Sequence, residues 1–229
     1  MKKTFIPLCL LIITFCSFGQ SFHLGVLAGE NTSSFFYRQI NLGLNESSPS
    51  DNITGFHAGV FAEFTYGNFS IEPEVVYASI GGKSSYDVYG PYGASTGTYK
   101  NSVNYLQVPV NLLRNIPVSF GKIFCGGGPY IGFGLSGKTE NTGEIVGEFG
   151  GNAITNVNSV TKYSFSSPDN PDFGVNLVVG IHLKNRLLFR LGYNYGLKYL
   201  FNYSSPHTSG YIAGVDNSVA SISVGYAFL

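Results

Sequence analysis

From Gln20 onward the chain alternates apolar and polar residues with a period of two, and no stretch carries the three-to-four spacing of an amphipathic helix. The clearest run is 173–183, where Phe173, Val175, Leu177, Val179, Ile181 and Leu183 share one face and Gly174, Asn176, Gly180 and His182 the other. Leu187, Phe189, Leu191, Tyr193, Tyr195 and Leu197 repeat the pattern against Arg190, Gly192, Asn194 and Gly196. Only Lys184, Asn185 and Arg186 separate the two runs, so they predict a hairpin with a tight polar turn. The same reading predicts strands near 22–29, 54–66, 69–80, 103–113, 121–136 and 218–229, eight in all.

The connections alternate in length. Long polar segments at 30–53, 81–102, 137–172 and 198–217 read as loops, and short turns fall near 67, 114–120 and 185. Four long and three short connections between eight strands match an all-β, eight-stranded antiparallel up-and-down transmembrane β-barrel, with long outward loops and short periplasmic turns. Most strands have the nine to eleven residues that a tilted membrane strand needs; the first is shorter.

Which face meets lipid follows from size. One face carries Phe and Leu that would overfill an eight-strand interior; the other is rich in Gly with isolated charges, as suits a narrow lumen. Phe56, Ala58, Val60, Ala62 and Phe64 therefore point to lipid, turning His57, Phe61 and Glu63 inward. On the next strand Phe69, Ile71, Pro73, Val75 and Tyr77 point out, and Glu72 and Glu74 join Glu63 on one inner wall. Arg190, with Lys122 and His182, points inward from later strands. Charges in a low-dielectric interior persist when paired, so Glu63, Glu72, Glu74 and Arg190 are expected to form a structural lumen charge cluster. The competing reading is an acid–base or cation site. A soluble lipocalin-like binding barrel, with the faces inverted, is the architectural alternative.

Composition sharpens the class. Charged residues are 11% of the chain, against roughly 25% in ordinary soluble domains; aromatics are 15% and hydrophobics 44%. Thirty Gly, nineteen Phe and sixteen Tyr stand beside one Met and no Trp, so Tyr and Phe must supply any interfacial girdle: Tyr66 and Phe69 at the first turn, Tyr226 and Phe228 at the end, Tyr193, Tyr195 and Tyr199 near the last loop. A formal charge of +0 leaves no basic footprint for nucleic acid.

The first residues set the compartment. Lys2 and Lys3 precede an apolar run from Phe5 to Phe15, too short for a spanning helix, and Ser17 and Gly19 stand at the −3 and −1 positions of a cleavage site before Gln20. Residues 1–19 read as a cleaved secretory signal peptide and 20–229 as the barrel domain. Phe15 disfavours lipidation at Cys16. Removing the signal takes two lysines and no acid, moving the formal charge from +0 to −2. Cys9 and Cys16 leave with it, so Cys125 stays without an intrachain partner and reads as a small apolar strand residue.

No chemistry-bearing motif emerges. No Ser/His/Asp arrangement accompanies the carboxylates, and His23, His57, His182 and His207 lack paired metal-ligand spacing. The run GGGPYIGFG at 126–134 lacks the following helix of a phosphate loop, and its glycines suit crowding inside a narrow barrel. No catalytic, cofactor or metal residue is assigned, and no cofactor is expected.

PEVVY at 73–77, NYLQVPVNLL at 104–113, GPYIGFGLSGK at 128–138, DFGVNLVVGI at 172–181, YNYGL at 193–197 and the closing SVGYAF together resemble the PorT-like outer-membrane β-barrel domain proteins of Bacteroidetes, similar in architecture to small OmpA/OmpX-type barrels. The resemblance implies an outer-membrane location and an eight-stranded barrel, and it brings no catalytic residues. One member of that family serves a protein-secretion system. The expectation is a non-enzymatic structural or interaction module acting through its extracellular loops, in protein secretion or surface attachment. Its partners would be outer-membrane lipid and a protein or surface ligand at the loops. A narrow small-solute channel is the alternative, opposed by Phe61, Phe124 and Tyr130 pointing into an already narrow lumen. A lipid-modifying enzyme would need a nucleophile–base pair near one rim.

Overall fold

The structure is a computed structural model that describes residues 21–41, 44–90, 93–147, 153–164, 171–197, 202–204 and 212–228. Residues 1–19, read as a signal peptide, and Tyr199 lie outside the described residues. The elements are β1 (Ser21–Asn41), β2 (Leu44–Pro49), β3 (Asp51–Tyr66), β4 (Phe69–Gly90), β5 (Gly93–Val118), β6 (Gly121–Gly147), β7 (Ala153–Ser164), β8 (Asp172–Leu183), β9 (Leu187–Gly196), β10 (Asn202–Ser204) and β11 (Ile212–Ala227).

Eight of these run round a closed ring in the order β1, β3, β4, β5, β6, β8, β9, β11, every neighbour antiparallel. The ring closes through β1 and β11, in register from Gly25↔Ala227 to Gln39↔Ala213. Closure leaves the ring no edge strand, which is how a sheet can face hydrocarbon at all. The other three strands are returns outside the ring: β2 pairs the top of β1, β7 the top of β6 and β10 the top of β11.

The predicted faces hold. Along β8, burial alternates from Asp172 inside to Val179 outside. Leu177 and Ile222, 58% and 64% exposed, belong to an apolar outer wall, whereas Phe61 and Phe124 are almost completely enclosed. Cys125 is free and exposed on that outer wall. At the short-turn end the wall carries Phe22 against Phe64 (ring centroids 5.1 Å apart), Tyr226 against Phe228 (5.9 Å), and Phe69 beneath the Arg114 guanidinium (4.7 Å). These rings form the expected belt of Phe and Tyr.

One connection is tighter than predicted, and three long ones are mostly strand. The turn read over 114–120 shrinks to Ser119 and Phe120, because β5 continues to Val118. Most of the segments read as loops at 30–53, 81–102 and 137–172 continues as hairpin ladder: β4 and β5 stay paired to Gly90↔Gly93, and β6 and β7 to Gly147↔Ala153. Above the apolar band both faces of a strand meet water, so the alternation disappears while Tyr86, Thr96, Thr98 and Tyr99 keep their preference for extended backbone. Periodicity therefore marks where a strand is half-buried, and it goes silent where the strand is wet on both sides.

Local chemistry sets the remaining turns. Gly67 opens the β3–β4 hairpin with φ +57°, a conformation that costs a Cβ-bearing residue energy. Arg186 takes φ 73° in the β8–β9 turn, held by Ala227 N–H donating to its carbonyl (3.0 Å) and by its own Nη1 donating to the Phe228 carbonyl (2.8 Å).

Inside, aromatic rings lie over glycines of neighbouring strands. A Cβ added at Gly180 would stand 2.5 Å from Phe124 Cζ and 2.4 Å from the Phe189 carbonyl oxygen. Gly180→Val should therefore destabilise the barrel by about 1–3 kcal/mol through overpacking, read as a lowered urea midpoint in lipid vesicles. An unchanged midpoint would show that the ring is not confined as described.

Candidate functional site: the packed lumen

The inward residues of β1 sample the whole interior, because every second side chain points in: His23, Leu27, Asn31 and Phe35, from the short-turn end upward. Each belongs to a distinct layer, and the layers alternate polar, apolar, polar, apolar.

The lowest layer gathers around Glu63. Its Oε1 accepts from Lys122 Nζ (2.5 Å), Ser70 Oγ (2.7 Å) and Thr65 Oγ1 (3.3 Å). Its Oε2 stands 3.7 Å from His23 Nδ1 and 3.9 Å from His182 Nδ1, with the two imidazoles packed edge to face at 5.4 Å. An open vestibule of about 490 Å³, lined by His23, Asn115, Lys122, His182 and Lys184 among others, leads into this layer. Above it, Leu27, Phe61, Leu113, Phe124, Val178, Leu188 and Ala227 fill the cross-section with buried apolar groups.

The next polar layer centres on Arg190. Its Nη1 and Nη2 donate to Glu74 Oε1 and Oε2 at 2.7 and 2.8 Å, the two-pronged geometry that makes Arg–carboxylate pairs strong, and Nη1 also reaches Glu72 Oε1 at 3.3 Å. Asn111 Nδ2 donates to Glu74 Oε1 (2.7 Å), and Asn176 Nδ2 donates to Asn111 Oδ1 (2.8 Å). His57 Nε2 meets Ser223 Oγ at 2.8 Å, and Asn194 Nδ2 donates to Gln107 Oε1 at 3.1 Å. A cavity of about 40 Å³ lies among Asn31, His57, Glu74, Gln107 and Arg190, room for about one water molecule. Higher still, Asn217 Nδ2 and Tyr130 Oη donate to Asp172 Oδ2 at 2.8 and 3.1 Å. The upper apolar layer of Phe35, Ala78, Ile80, Val103, Tyr105 and Val219 lies toward the extended hairpins.

The structure thus divides the four residues singled out from sequence. Arg190 joins Glu72 and Glu74; Glu63 belongs with Lys122 in the lower layer. Sequence reasoning missed His23, which β1 brings beside His182, and Asp172, which was assigned to a loop. The Asp172 signal was there to find: the alternation of β8 carries back from Phe173 and turns Asp172 inward. Among the described residues no group of three or more His, Cys, Asp or Glu is arranged to hold a metal ion. Two cations serve the three lumen glutamates: Lys122 for Glu63, and Arg190 shared by Glu72 and Glu74.

Residues 18–202 match the family model described as outer membrane protein beta-barrel domain, and the chain belongs to that family. Membership places the apolar outer wall in a lipid environment. No curated protein matches the chain in sequence. Among solved structures it is similar to Neisserial surface protein A (14% identity, TM-score 0.36, covering 91% of this chain and 98% of that one). It is similar also to Ail, the attachment invasion locus protein of Yersinia pestis (11%, 0.37, 90% and 98%), and to OprG of Pseudomonas aeruginosa (14%, 0.34, 90% and 96%).

Removing one partner of a buried ion pair leaves an uncompensated charge and is strongly destabilising, by about 3–5 kcal/mol. Arg190→Met should lower unfolding stability in vesicles by about that amount, whereas E72L/E74L/R190L, which removes the whole set, should cost less. Equal losses would show that bulk in the layer matters and pairing does not.

Proposed function

We propose that this protein is a sealed, non-enzymatic outer-membrane barrel that works as a structural and interaction module through the hairpins extending above its apolar band. The observation that carries this reading is the pair of apolar layers across the lumen, one centred on Phe61 and Phe124 and the other on Phe35 and Tyr105. Between them the polar space is a cavity of about 40 Å³, far below the hundreds of Å³ that a small-molecule site usually occupies. A solute would have to displace close-packed side chains to pass, which argues against the channel. The vestibule of about 490 Å³ opens at the short-turn end, below the lower apolar layer; on the other side recognition falls to the extended top, where β4 with β5 and β6 with β7 carry Ser, Asn, Thr and Tyr on both wet faces.

In this reading residues 1–19 are the cleaved export signal, the short turns face the periplasm and the long hairpins face outward. The motif set read from the sequence further suggests a PorT-like protein, with secretion or surface attachment as the role of the hairpins. Lumen charges then serve packing: Glu63 lies against Lys122, and Glu72 and Glu74 share Arg190.

The protein should be recovered with the outer membrane and migrate differently on gels when unheated and when boiled, since a closed barrel resists detergent until heated. In planar bilayers the folded protein should give no stable conductance steps; steps would make it a channel. Replacing 140–160 by Asn-Gly, between the paired Thr139 and Thr161, should keep the heat-dependent shift and abolish crosslinking to an outward-side partner. Crosslinking that persists unchanged would sink the hairpin role.

A further inference from the structure

The upper parts of β4, β5, β6 and β7 form a sheet of four paired strands, and its outward face carries an unusual row of like charges. Lys83 lies directly across from Lys100, and Lys138 directly across from Lys162. Lys100 in turn faces Glu140, and Lys138 faces Ser102, which puts all four ammonium groups on one face in two adjacent rows. Like charges placed directly across a ladder are destabilising, so two such pairs need an explanation. In these rows the carboxylates are Asp51, across from Lys83, and Glu140, whose Oε1 is 2.7 Å from Lys138 Nζ. The hydrogen bond from Lys138 holds the exposed Glu140 carboxyl below its usual range, so it stays ionised and is already spoken for. Two carboxylates thus serve four lysines. Asp87 and Glu144 lie further toward the tip, both paired across the ladder with Thr96. Glu30 lies on β1, two strands from Lys83 round the ring.

Height decides what these lysines meet. The outward apolar series ends at Tyr77 on β4, Leu106 on β5, and Phe133 and Leu135 on β6. Lys138 stands about 10 Å above that limit along the barrel axis and Lys100 about 15 Å, taking about 3.3 Å per residue and a tilt near 40°. The polar headgroup zone adds roughly 5–8 Å on each side of the hydrocarbon. Lysine stems are long and flexible enough to reach back down into that zone. Excess positive charge therefore lies in the row nearer the membrane, at Lys138 and Lys162, while Asp51 and Glu140 share the next row with Lys83 and Lys100 and further acids lie above, an order that an anionic lipid surface selects.

We propose that Lys83, Lys100, Lys138 and Lys162 form a docking surface for the phosphate groups of outer-leaflet lipids. The proposal rests on the outer-membrane reading and adds the ligand chemistry to it. Phosphates of neighbouring lipids fill the gaps between lysine pairs, cancel the cross-strand repulsion and steady the hairpin sheet against the membrane. The neutral composition of the chain as a whole hides this surface, because only the strand register brings the four residues together.

The test uses the full mature protein refolded into nanodiscs of phosphatidylcholine with a minor fraction of bisphosphorylated lipid A, and counts lipid A retained after detergent release by native mass spectrometry. Wild type should retain lipid A, less so as salt rises, and K83Q/K100Q/K138Q/K162Q should retain it about tenfold less or weaker still, with its heat-dependent gel shift intact. Dephosphorylated lipid A should bind both proteins equally poorly. Should the quadruple variant fail to fold, K138Q/K162Q and the salt dependence of the wild type carry the test. Equal retention by wild type and variant, or lysine-dependent binding of a soluble sulfated polysaccharide without retention of lipid A, overturns the proposal. Absence of the heat-dependent shift in the wild type would bring down the outer-membrane reading itself.

Discussion

An unpaired backbone N–H or C=O in hydrocarbon costs several kcal/mol, and the ladder between β1 and β11 is what removes that cost here. If it opened, two strand edges would face lipid at once. Closure with eight strands then fixes the interior width, and the width fixes the contents: a lumen just wide enough for side chains. The glycines opposite Phe61, Phe124 and Tyr130 follow from the same limit, since each ring lies against a neighbouring strand where a side chain would collide with it.

A filled interior that is also polar must match its own hydrogen bonds. The alternation along β1, from His23 through Leu27 and Asn31 to Phe35, shows how this chain does so. Each polar layer holds its own network and each apolar layer separates one network from the next; around the small central cavity Asn31 Oδ1, His57 Nδ1 and Gln107 Nε2 make no hydrogen bond within the protein. Arg190 and Glu74 can be fully desolvated because the two prongs of the guanidinium meet both carboxylate oxygens and Asn111 adds a further donor. Glu63 accepts three hydrogen bonds on one oxygen, near a vestibule that supplies water.

Period-two patterning made the strands, their faces and the inward direction of Glu63, Glu72, Glu74 and Arg190 legible, because each of these depends on residues adjacent in sequence. Partners across the lumen were not legible in the same way. Glu74 and Arg190 are more than a hundred positions apart, and which of three inward carboxylates meets the guanidinium depends on strand stagger. The upper ladders escaped for a different reason: with water on both faces, nothing in the hydrophobic pattern distinguishes a paired hairpin from a loop. Their strand character lay in β-branched and aromatic residues such as Thr96, Thr98 and Tyr99, a weaker signal than alternation.

The same stagger that hides the ion pairs also creates surface chemistry that composition conceals. A chain of zero formal charge can still present four lysines in two rows, because register sorts charges by height as well as by face. On β5 and β6 the outward apolar run stops at Leu106 and Leu135, Lys138 and Lys162 follow, the next row mixes Lys83 and Lys100 with Asp51 and Glu140, and Asp87 and Glu144 lie beyond. Such an axial order has no use for a soluble barrel, whose surroundings are uniform. It is matched to an environment that changes from hydrocarbon to phosphate to water over a few residues, and so the charge order and the apolar wall are two consequences of one boundary.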